Sequence, residues 1–584
     1  MKGLRIMKTN HYNTILRTLY IVPLYIALML GLASCDLNYF PSDEQSSDMV
    51  LKEASSAVMD GCYSLLKDEI EYLGWPSGNT YCRHYFQLAE FPSDNICLSG
   101  KSTDPLFQAT TYTMTDNLQN VGTLWMVGYK IIFMTNAVIH NENLSEDNAD
   151  DRQILGEAYF MRALMHLNLV TLYAKPYHKD ERGNLGIPLR TDNNDKVIKR
   201  DPVGDVYDQI VKDLRKAEEL LGASRGNAGY PSKDAARGLL SRVYLYMEQY
   251  EDCINIAKDM LGGSINPQVA AAKLDANLAS YFANAKTSQE TLFCIAHEPT
   301  DDRGQSSIGS MYNAEGGGWG EVYPSFPLLN LYERYPQDVR YKDFIKPVYA
   351  KKATQPSTDL KVMIPAGEKG SKVKRDIFEP NPTVRYDAST GLYTFTSDGI
   401  RYTIENRLIN GEYTEYYVNF NNEDLNVRIV PGNLGTRNTW PMYFVTKFGY
   451  QNGSPTLSSP VVLRWAEVIL NVAEAFARGG DDQDKALELV NIIRRRAGIP
   501  EEGMFDANNM HGYANAIDVV MDERRLELAF EGHRRYDVYR NKQSMNRQYP
   551  GIQSWEVIDY TDNRIQYPIP NGEWTVSHIQ QNDY

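Results

Sequence analysis

One stretch of this chain places apolar and small residues at the spacing of two helices packed against each other. In "AARGLLSRVYLYMEQYEDCINIAKDML", Leu240, the small Ser241 and Tyr244 belong to the first helix. Nine residues after Tyr244, a second apolar face begins with Cys253 and Ala257. Small residues let two antiparallel helices touch, and one such hairpin cannot bury its apolar face alone. The stretch therefore predicts a stack of helical hairpins.

A second stretch, "VILNVAEAFARGGDDQDKALELVNIIRRRAG", repeats this arrangement. Its two faces consist of Val472, Ala473, Phe476, Ala486, Val490 and Ile493. Both stretches match the spacing of tetratricopeptide units, in which each unit is one helix pair. Helices over 148–175 and 203–221 would complete two more pairs, less regularly. Apolar periodicity also predicts helices over 52–67 and 120–140.

Helical periodicity fades between about 265 and 455, where Gly, Pro, Asn and Tyr cluster. The segment "GLYTFTSDGIRYTI" predicts two short strands around a turn at 397–399. The segment "YTEYYVNF" predicts a third strand, with Tyr416, Val418 and Phe420 on one face. The sequence thus predicts a mainly α fold, in which tetratricopeptide-like helix pairs form a scaffold. A loop-rich region with a little antiparallel β decorates that scaffold.

These patterns divide the chain where its composition changes. Residues 51–265 form an N-terminal helical part, 266–455 a loop-rich middle region with short strands, and 456–584 a C-terminal helical part. A chain of this length can bury a large core and does not need disulfide bonds to fold. We therefore expect residues 51–584 to fold as one compact unit.

The N-terminal run "LYIALMLGLASC" ends on Cys35 and follows four basic residues and no acidic one, which is typical of a secretory signal peptide. The apolar stretch Leu19–Leu32 is about 14 residues long, short of the roughly 20 that a spanning helix needs. Its last residues, "LASC", resemble the lipobox of bacterial lipoproteins, in which cleavage precedes the cysteine and the cysteine is acylated. The run predicts a signal peptide over 1–34, lipidation of Cys35 and a tether over 35–50. The alternative is a chance cysteine beside an ordinary cleavage site.

The charge of the chain limits its partners. Its formal net charge is −15, and every charged residue that loss of the signal peptide would remove is basic, so the mature chain would be more acidic still. Nucleic acids and anionic lipids bind basic surfaces. We therefore expect no nucleic-acid partner, and contact with a membrane through the lipid anchor alone.

The cysteines beyond Cys35 are Cys62, Cys82, Cys97, Cys253 and Cys294. They form no CxxC pair and their number is odd, which is typical neither of a disulfide framework nor of a zinc ribbon. We expect most of them to be small buried hydrophobic residues. A disulfide among the first three stays open.

The densest charged segment runs from 523 to 540 and mixes both signs. Glu523, Glu527 and Glu531 repeat every fourth residue and so share one helix face. A glycosidase needs two carboxylates across an open cleft, one of them with a raised pKa. The interleaved arginines would instead keep these carboxylates ionised. The segment therefore predicts a structural ion-pair network.

Other catalytic signals are missing from the sequence, which contains no HExxH, GxSxG or P-loop pattern. The oxygen-rich clusters at 481–484 and 192–195 are more typical of solvated turns than of calcium sites. The sequence predicts a protein that is not an enzyme and that holds no cofactor and no metal.

Two segments present aromatic residues among glycines and prolines and are the candidate binding loops. The first, "AEGGGWGEVYPSF", places Trp319 among four glycines, with Tyr323 shortly after it. A Gly-rich loop packs poorly into a core but presents a flat aromatic face, on which the C–H faces of sugar rings stack. The second, "EYLGWPSGNTYCRHY", offers Trp75, Tyr81 and Arg83 for carbohydrate binding. The alternative for both segments is that the rings turn back into the core.

Several long segments together resemble the SusD/RagB family. "RWAEVILNVAEAFARG", "ALELVNIIRRRAGIP", "DERRLELAFEGHRRYDVYR" and "YPIPNGEWTVSHIQQNDY" resemble its C-terminal signature. "SDN" at 93–95, "GEAYFMRALMHLNLVTLY", "GIPL" and "AARGLLSRVYLY" resemble its N-terminal half. The likeness covers nearly all of the chain after the signal peptide, except about 340–440. Asn95 of the "SDN" motif is a further candidate for carbohydrate binding, unless it only caps or turns the chain.

The resemblance implies a surface-exposed, lipid-anchored protein of the outer membrane that binds a glycan or another nutrient. It also implies a partner, a SusC-like TonB-dependent transporter, over which members of the family sit as a lid. Three functions stay open: an oligosaccharide-binding lipoprotein, a scaffold that binds a protein through its helical repeats, and a surface glycoside hydrolase. The Gly-presented Trp319 favours the first.

Overall fold

The computed structural model describes residues 55–72, 74–99, 107–195, 198–350, 353–366, 376–377, 381–409, 413–479 and 482–583. Its α-helices are α1 Ser55–Leu65, α2 Thr80–Glu90, α3 Phe107–Thr111, α4 Gln119–Ile139, α5 Ala149–Tyr173, α6 Val203–Leu220, α7 Lys233–Tyr246, α8 Tyr250–Met260, α9 Pro267–Ala271, α10 Leu278–Tyr281, α11 Ile308–Tyr312, α12 Phe326–Tyr332, α13 Val339–Phe344, α14 Trp465–Gly479, α15 Gln483–Arg496, α16 Ala516–Glu527, α17 Arg534–Tyr539 and α18 Asn571–Val576.

The strands of the described residues are mostly short and paired two by two. They are β1 Ile70–Tyr72, β2 Trp75–Ser77, β3 Ile96–Leu98, β4 Thr291–Cys294, β5 Val322–Pro324, β6 Ile345–Pro347, β7 Leu360–Met363, β8 Pro365–Ala366, β9 Asp376–Ile377, β10 Thr383–Asp387, β11 Leu392–Ser397, β12 Ile400–Ile409, β13 Tyr413–Phe420, β14 Glu423–Pro431, β15 Thr436–Arg437, β16 Trp440–Pro441, β17 Tyr443–Val445, β18 Val461–Arg464, β19 Met545–Asn546 and β20 Val557–Ile558.

Both predicted helical hairpins are present, as α7–α8 and α14–α15, and each buries the small residues that predicted it. Helix α7 begins after Ser232, whose side chain accepts a hydrogen bond of 3.2 Å from the backbone N–H of Ala235. The two hairpins meet at the small Ser241 of α7, whose hydroxyl accepts a hydrogen bond of 3.1 Å from the Asn471 amide of α14. A larger side chain at Ser241 would keep these two helices apart.

The predicted helices at 148–175 and 203–221 are α5 and α6, and they extend the same stack. Helices α4 to α8 pack against one another in chain order, and α8 then packs against α14. The chain therefore leaves the stack after α8 and returns to it at α14, so the middle region connects two neighbours in the stack. The predicted fold class, mainly α with tetratricopeptide-like helix pairs and some antiparallel β, is confirmed.

The middle region contains more β-structure than the sequence predicted, because six of its strands close into an antiparallel barrel. The strand order is β10–β11–β12–β13–β14–β7, and β7 pairs with both β14 and β10. The predicted hairpin is β11–β12, which turns at Asp398 and Gly399 with φ of 48° and 76°. Alternate residues of these strands fill the interior. The barrel core consists of Val362, Ile364, Val384, Phe395, Ile404, Val418, Phe420, Leu425 and Val427.

Ala54–Tyr584 forms one compact unit by its internal contacts. The predicted signal peptide at 1–34, the lipidated Cys35 and the tether at 35–50 lie outside the described residues. The remaining five cysteines are buried with free thiols, so the disulfide that the sequence left open is not formed among the described residues.

The charged segment at 523–540 forms a buried ion-pair network, as predicted. At its centre, Arg464 makes five hydrogen bonds of 2.7–2.9 Å to the Glu290, Glu527 and Glu531 carboxylates and to the Glu527 carbonyl. Lys447 Nζ donates a further bond of 2.6 Å to Glu531. Burial opposes ionisation of Glu531, yet Arg464 and Lys447 lower its pKa to about 2. Glu527 and Glu531 are thus ionised partners in the core rather than groups that line an open cleft.

Candidate functional site

Trp319 lies in the loop 313–321, between α11 and β5, with 46% of its surface exposed. Its backbone N–H donates to the Ser310 carbonyl at 2.7 Å, and its indole N–H donates to the Gln305 carbonyl at 3.2 Å. Its own carbonyl accepts a bond of 2.7 Å from Arg437. The backbone of Trp319 is therefore held at two points and its ring at one, while 46% of the residue faces solvent. This exposure contradicts the alternative in which Trp319 turns back under its own loop.

The glycines around Trp319 are required by the path of this loop. A Cβ on Gly318 would lie 2.1 Å from the Asn313 carbonyl oxygen, a distance that no side chain tolerates. Gly320 has φ of +53°, a left-handed conformation that disfavours other residues. The "GGGWG" run therefore indicates a tightly folded loop, and the local sequence contained enough information to find it.

Polar side chains hydrogen-bond to the backbone and side chains of the loop that carries Trp319. Arg437 spans the loop, because its guanidinium also donates to the Glu321 carboxylate at 3.1 Å. The Tyr450 hydroxyl donates to Glu315 at 2.6 Å and accepts from the Asn313 amide at 3.1 Å. Burial and the neighbouring Glu315 carboxylate raise the pKa of Tyr450 to about 12, so this hydroxyl stays protonated. Such groups can exchange hydrogen bonds with sugar hydroxyls beside a stacked ring.

The hairpin β15–β16 positions Arg437, and sequence reasoning missed it. Its two turn residues, Asn438 and Thr439, have φ of 50° and 75°, as in the tight turns that favour Asn and Gly. A β-branched residue at positive φ is a strained conformation, which is often found near functional surfaces. The Asn438 amide donates to the Ser99 carbonyl at 2.9 Å and ties the hairpin to the end of β3. Asn438 was the only local signal for this turn.

The two predicted binding loops meet at the short turn 304–306. The Gln305 carbonyl of this turn accepts from the Trp319 indole, and the adjacent Ser306 carbonyl accepts from the Asn79 amide at 3.3 Å. A Cβ on Gly78 would lie 3.1 Å from the Ser306 hydroxyl. The second loop therefore passes directly beside the turn that anchors Trp319.

The residues predicted in this second loop have different positions. Arg83 is half-buried on α2, close to the start of the helix. Trp75 begins β2 and pairs with Tyr72 of β1, but its side chain lies outside the described part of the structure. Tyr81 is only 2% exposed, and its hydroxyl accepts a bond of 2.5 Å from the Asn168 amide of α5. The assignment of Tyr81 to an exposed sugar platform is therefore corrected: it is a core residue.

Tyr323 and Asn95 are also buried, and their assignment to the binding surface is corrected too. Tyr323 is 1% exposed in β5, opposite Cys97 of β3, because this short strand is buried along its whole length. The Asn95 amide donates to Glu90 at 3.0 Å and its oxygen accepts from Arg525 at 2.9 Å. Asn95 thus joins the N-terminal half to α16, the helix with the buried ion pairs.

Asp94 has the same joining role as Asn95. The Arg534 guanidinium donates to both of its carboxylate oxygens, at 2.7 and 3.0 Å. Burial would raise the pKa of Asp94, but Arg525 and Arg534 hold it well below its usual range. The "SDN" motif therefore connects distant parts of the chain.

Comparisons with known proteins agree with this fold over most of the chain. The profile of the SusD family matches residues 281–583, and a profile described as starch-binding associating with outer membrane matches residues 79–245. SusD-like protein P2 of Formosa agariphila is 24% identical over 455 residues, which cover 74% of each chain.

Solved structures share the architecture at low identity. A SusD superfamily protein from Bacteroides thetaiotaomicron superposes with a TM-score of 0.66 at 22% identity, over 91% of this chain and all of that one. A structure described as a laminarin binding SusD-like protein superposes with a TM-score of 0.58 at 20% identity, over 91% of this chain and 98% of that one.

Proposed function

This chain belongs to the SusD family, and from that premise we propose that it is a glycan-binding lipoprotein of the outer membrane. In this proposal, Cys35 carries the lipid anchor, and the domain faces the outside of the cell. There it captures an oligosaccharide and delivers it to a SusC-like TonB-dependent transporter. Two descriptions support the proposal, one of a relative that binds laminarin and one of a profile for starch-binding proteins associating with the outer membrane.

The single observation that carries the proposal is the exposed indole of Trp319 on its braced loop. A sugar ring that stacks on it would find Arg437, Glu315 and Tyr450 within the same loop cluster. We propose Trp75 and Arg83, on the neighbouring loop and helix, as further ligand contacts. A ring whose N–H already donates to the Gln305 carbonyl loses little conformational freedom when a ligand binds, which favours affinity.

Replacing Trp319 with alanine should weaken glycan binding while the fold stays intact. An aromatic platform contributes about 1–2 kcal/mol through burial and stacking, or on the order of tenfold in affinity. Titration calorimetry with the bound glycan measures this loss, and thermal unfolding of the same variant measures stability. The matched control is Trp574→Ala, because Trp574 is also exposed, at 38%, and its indole N–H is also anchored, to Asp116.

The control variant should bind glycan as the unchanged protein does. A large fall in the melting temperature of Trp319→Ala would show that Trp319 stabilises the fold rather than serving mainly as a ligand platform. Unchanged melting with unchanged affinity would place the glycan elsewhere and remove the main support for the proposed site.

We expect the purified chain to bind glycans without cleaving them. Its densest carboxylate group, around Glu527 and Glu531, is buried and paired, and nearby arginines hold the pKa of Glu527 far below that of a general acid. Incubation with a bound glycan, followed by measurement of new reducing ends, tests this expectation. Product that grows in proportion to protein concentration would favour the hydrolase.

A further inference from the structure

A cavity lies in the C-terminal half of the protein and shares no residue with the Trp319 loop. Its volume is about 330 Å³, and its walls come from the end of α12, from α15 and α16, and from the loop 501–513. Pockets that bind small molecules span roughly 300–1,000 Å³. The cavity is therefore large enough for a ligand of one or two sugar rings.

A buried arginine between two aromatic rings forms the floor of this cavity. The Arg494 guanidinium lies 4.9 Å from the centre of the Tyr335 ring and 4.4 Å from that of Phe505. Its Nε donates to the Gly503 carbonyl and its Nη1 to Glu523, both at 2.9 Å. Among the described residues, Nη2 has no hydrogen-bond acceptor, although Arg494 is only 3% exposed. Nη2 itself has almost no accessible surface, so Arg334, which also lines the cavity and has a side chain 15% exposed, is the arginine that can donate to a ligand.

Hydrogen-bond acceptors face the same cavity from its opposite wall and its rim. The Asp522 carboxylate is 32% exposed and accepts a bond of 2.5 Å from the Tyr513 hydroxyl. Glu502 lines the cavity and is exposed. A carboxylate has more acceptor sites than these bonds use, so hydroxyl groups of a ligand can donate to both residues.

The charges in the walls nearly cancel, which selects the class of ligand. The cavity is lined by two guanidiniums, of Arg334 and Arg494, and by three carboxylates, of Glu502, Asp522 and Glu523. A cation would meet the guanidiniums, and an anion would meet the carboxylates. A neutral ligand with several hydroxyls can donate to the carboxylates, accept from an arginine and rest its C–H face on an aromatic ring. Those are the properties of a neutral saccharide.

We propose that this cavity is a second saccharide site, which binds one or two neutral sugar units independently of the Trp319 loop. Such a site would let one protein hold two parts of a branched or long glycan. It goes beyond the function proposed above, because it can exist whether or not Trp319 contacts glycan.

The test compares hydrogen exchange in the purified chain with and without sugar. The probes are neutral disaccharides of glucose, galactose, mannose and xylose, with glucuronic acid as an anionic comparison. We expect at least one neutral disaccharide to protect the backbone amides of 501–513 in a saturable way. Protection of 313–321 reports the Trp319 loop separately, so failure at one site is distinguished from failure at the other.

Two variants connect that protection to the cavity. Glu502→Arg changes an exposed residue at the rim, and Val519→Phe fills space from α16. Each should weaken the protection of 501–513 at least fivefold, while Trp319→Ala leaves it unchanged. The matched control for the rim is Glu501→Arg, because Glu501 is adjacent and exposed but does not line the cavity.

The proposal is overturned if none of the neutral sugars protects 501–513, if glucuronic acid protects it equally or more strongly, or if Glu502→Arg leaves the protection unchanged. Because Glu502 is exposed, this last variant tests the site even if Val519→Phe does not fold. Loss of protection in Glu501→Arg as well would assign the effect to surface charge and count equally against the cavity.

Discussion

Replacing Arg464 with methionine is expected to lower the free energy of unfolding by about 3–5 kcal/mol, because it strips the central partner from a buried ion-pair network. Arg464 is 1% exposed and holds the carboxylates of Glu290, Glu527 and Glu531 together. Methionine fills similar space but donates no hydrogen bond. Three carboxylates would lose a partner in the core, and Arg496 and Lys447 would compensate only in part.

The matched control is Arg495→Met, because Arg495 of α15 also forms an ion pair with a glutamate but lies on the surface. The Arg495 and Glu501 side chains are 52% and 74% exposed, and such pairs contribute about 0–1 kcal/mol. Urea unfolding followed by circular dichroism compares the two variants with the unchanged protein. A loss below about 1 kcal/mol in Arg464→Met would show that the network is not required for the fold.

The same network gives stability a defined dependence on pH. The pKa of Glu531 is lowered from 4.5 to about 2, so the unfolded chain binds a proton that the folded chain does not between these values. The contribution of Glu531 is therefore complete above about pH 4.5 and is lost as the pH falls towards 2. In Arg464→Met, Glu531 loses the largest charge that lowers its pKa, so its folded and unfolded pKa values lie closer together and the loss of stability in acid should be smaller.

Local patterns in the sequence were sufficient for the helices but not for the barrel. The hairpins α7–α8 and α14–α15 follow from small residues spaced within about 30 positions of one another. The barrel closes only because β7 pairs with β14, although the two strands are about 60 residues apart in sequence. Nothing local in "LKVM" indicates that partner, so strands were predicted but their closure was not.

The same limit explains which residues of the candidate site could be predicted from the sequence. Trp319 was found because its glycines are its neighbours in sequence, whereas Arg437, which braces the loop, is 118 residues away. Tyr81 was misassigned because the composition around it resembles a loop, and Asn95 because it belongs to the "SDN" motif of the resemblance. In the fold, Tyr81 lies on the buried α2, and Asn95 meets Arg525 from a segment 430 residues away. Exposure is a property of the packed structure, and proximity to Gly and Pro predicts it poorly.

Replacing Cys35 with alanine is expected to move the protein from the membrane fraction to the soluble fraction. Two or more acyl chains contribute about 0.8 kcal/mol per buried CH₂ and hold a domain on a bilayer almost permanently. Among the described residues, one helix, α4, is long and apolar enough to cross a membrane, and 61% of its most apolar window is buried inside the protein. It packs against α5 and α1. The acidic chain also offers no net attraction to anionic lipid.

Cell fractionation after a carbonate wash, in cells that lack the proposed SusC-like partner, measures this redistribution without the partner holding the protein in place. The control is Ser34→Ala, which changes the neighbouring residue and keeps the cysteine. If Cys35→Ala stays in the membrane fraction with an unchanged circular dichroism spectrum, a second attachment must exist. Residues 36–54, which lie between the cysteine and α1, would then be the first place to seek it, because α4 is committed to the core.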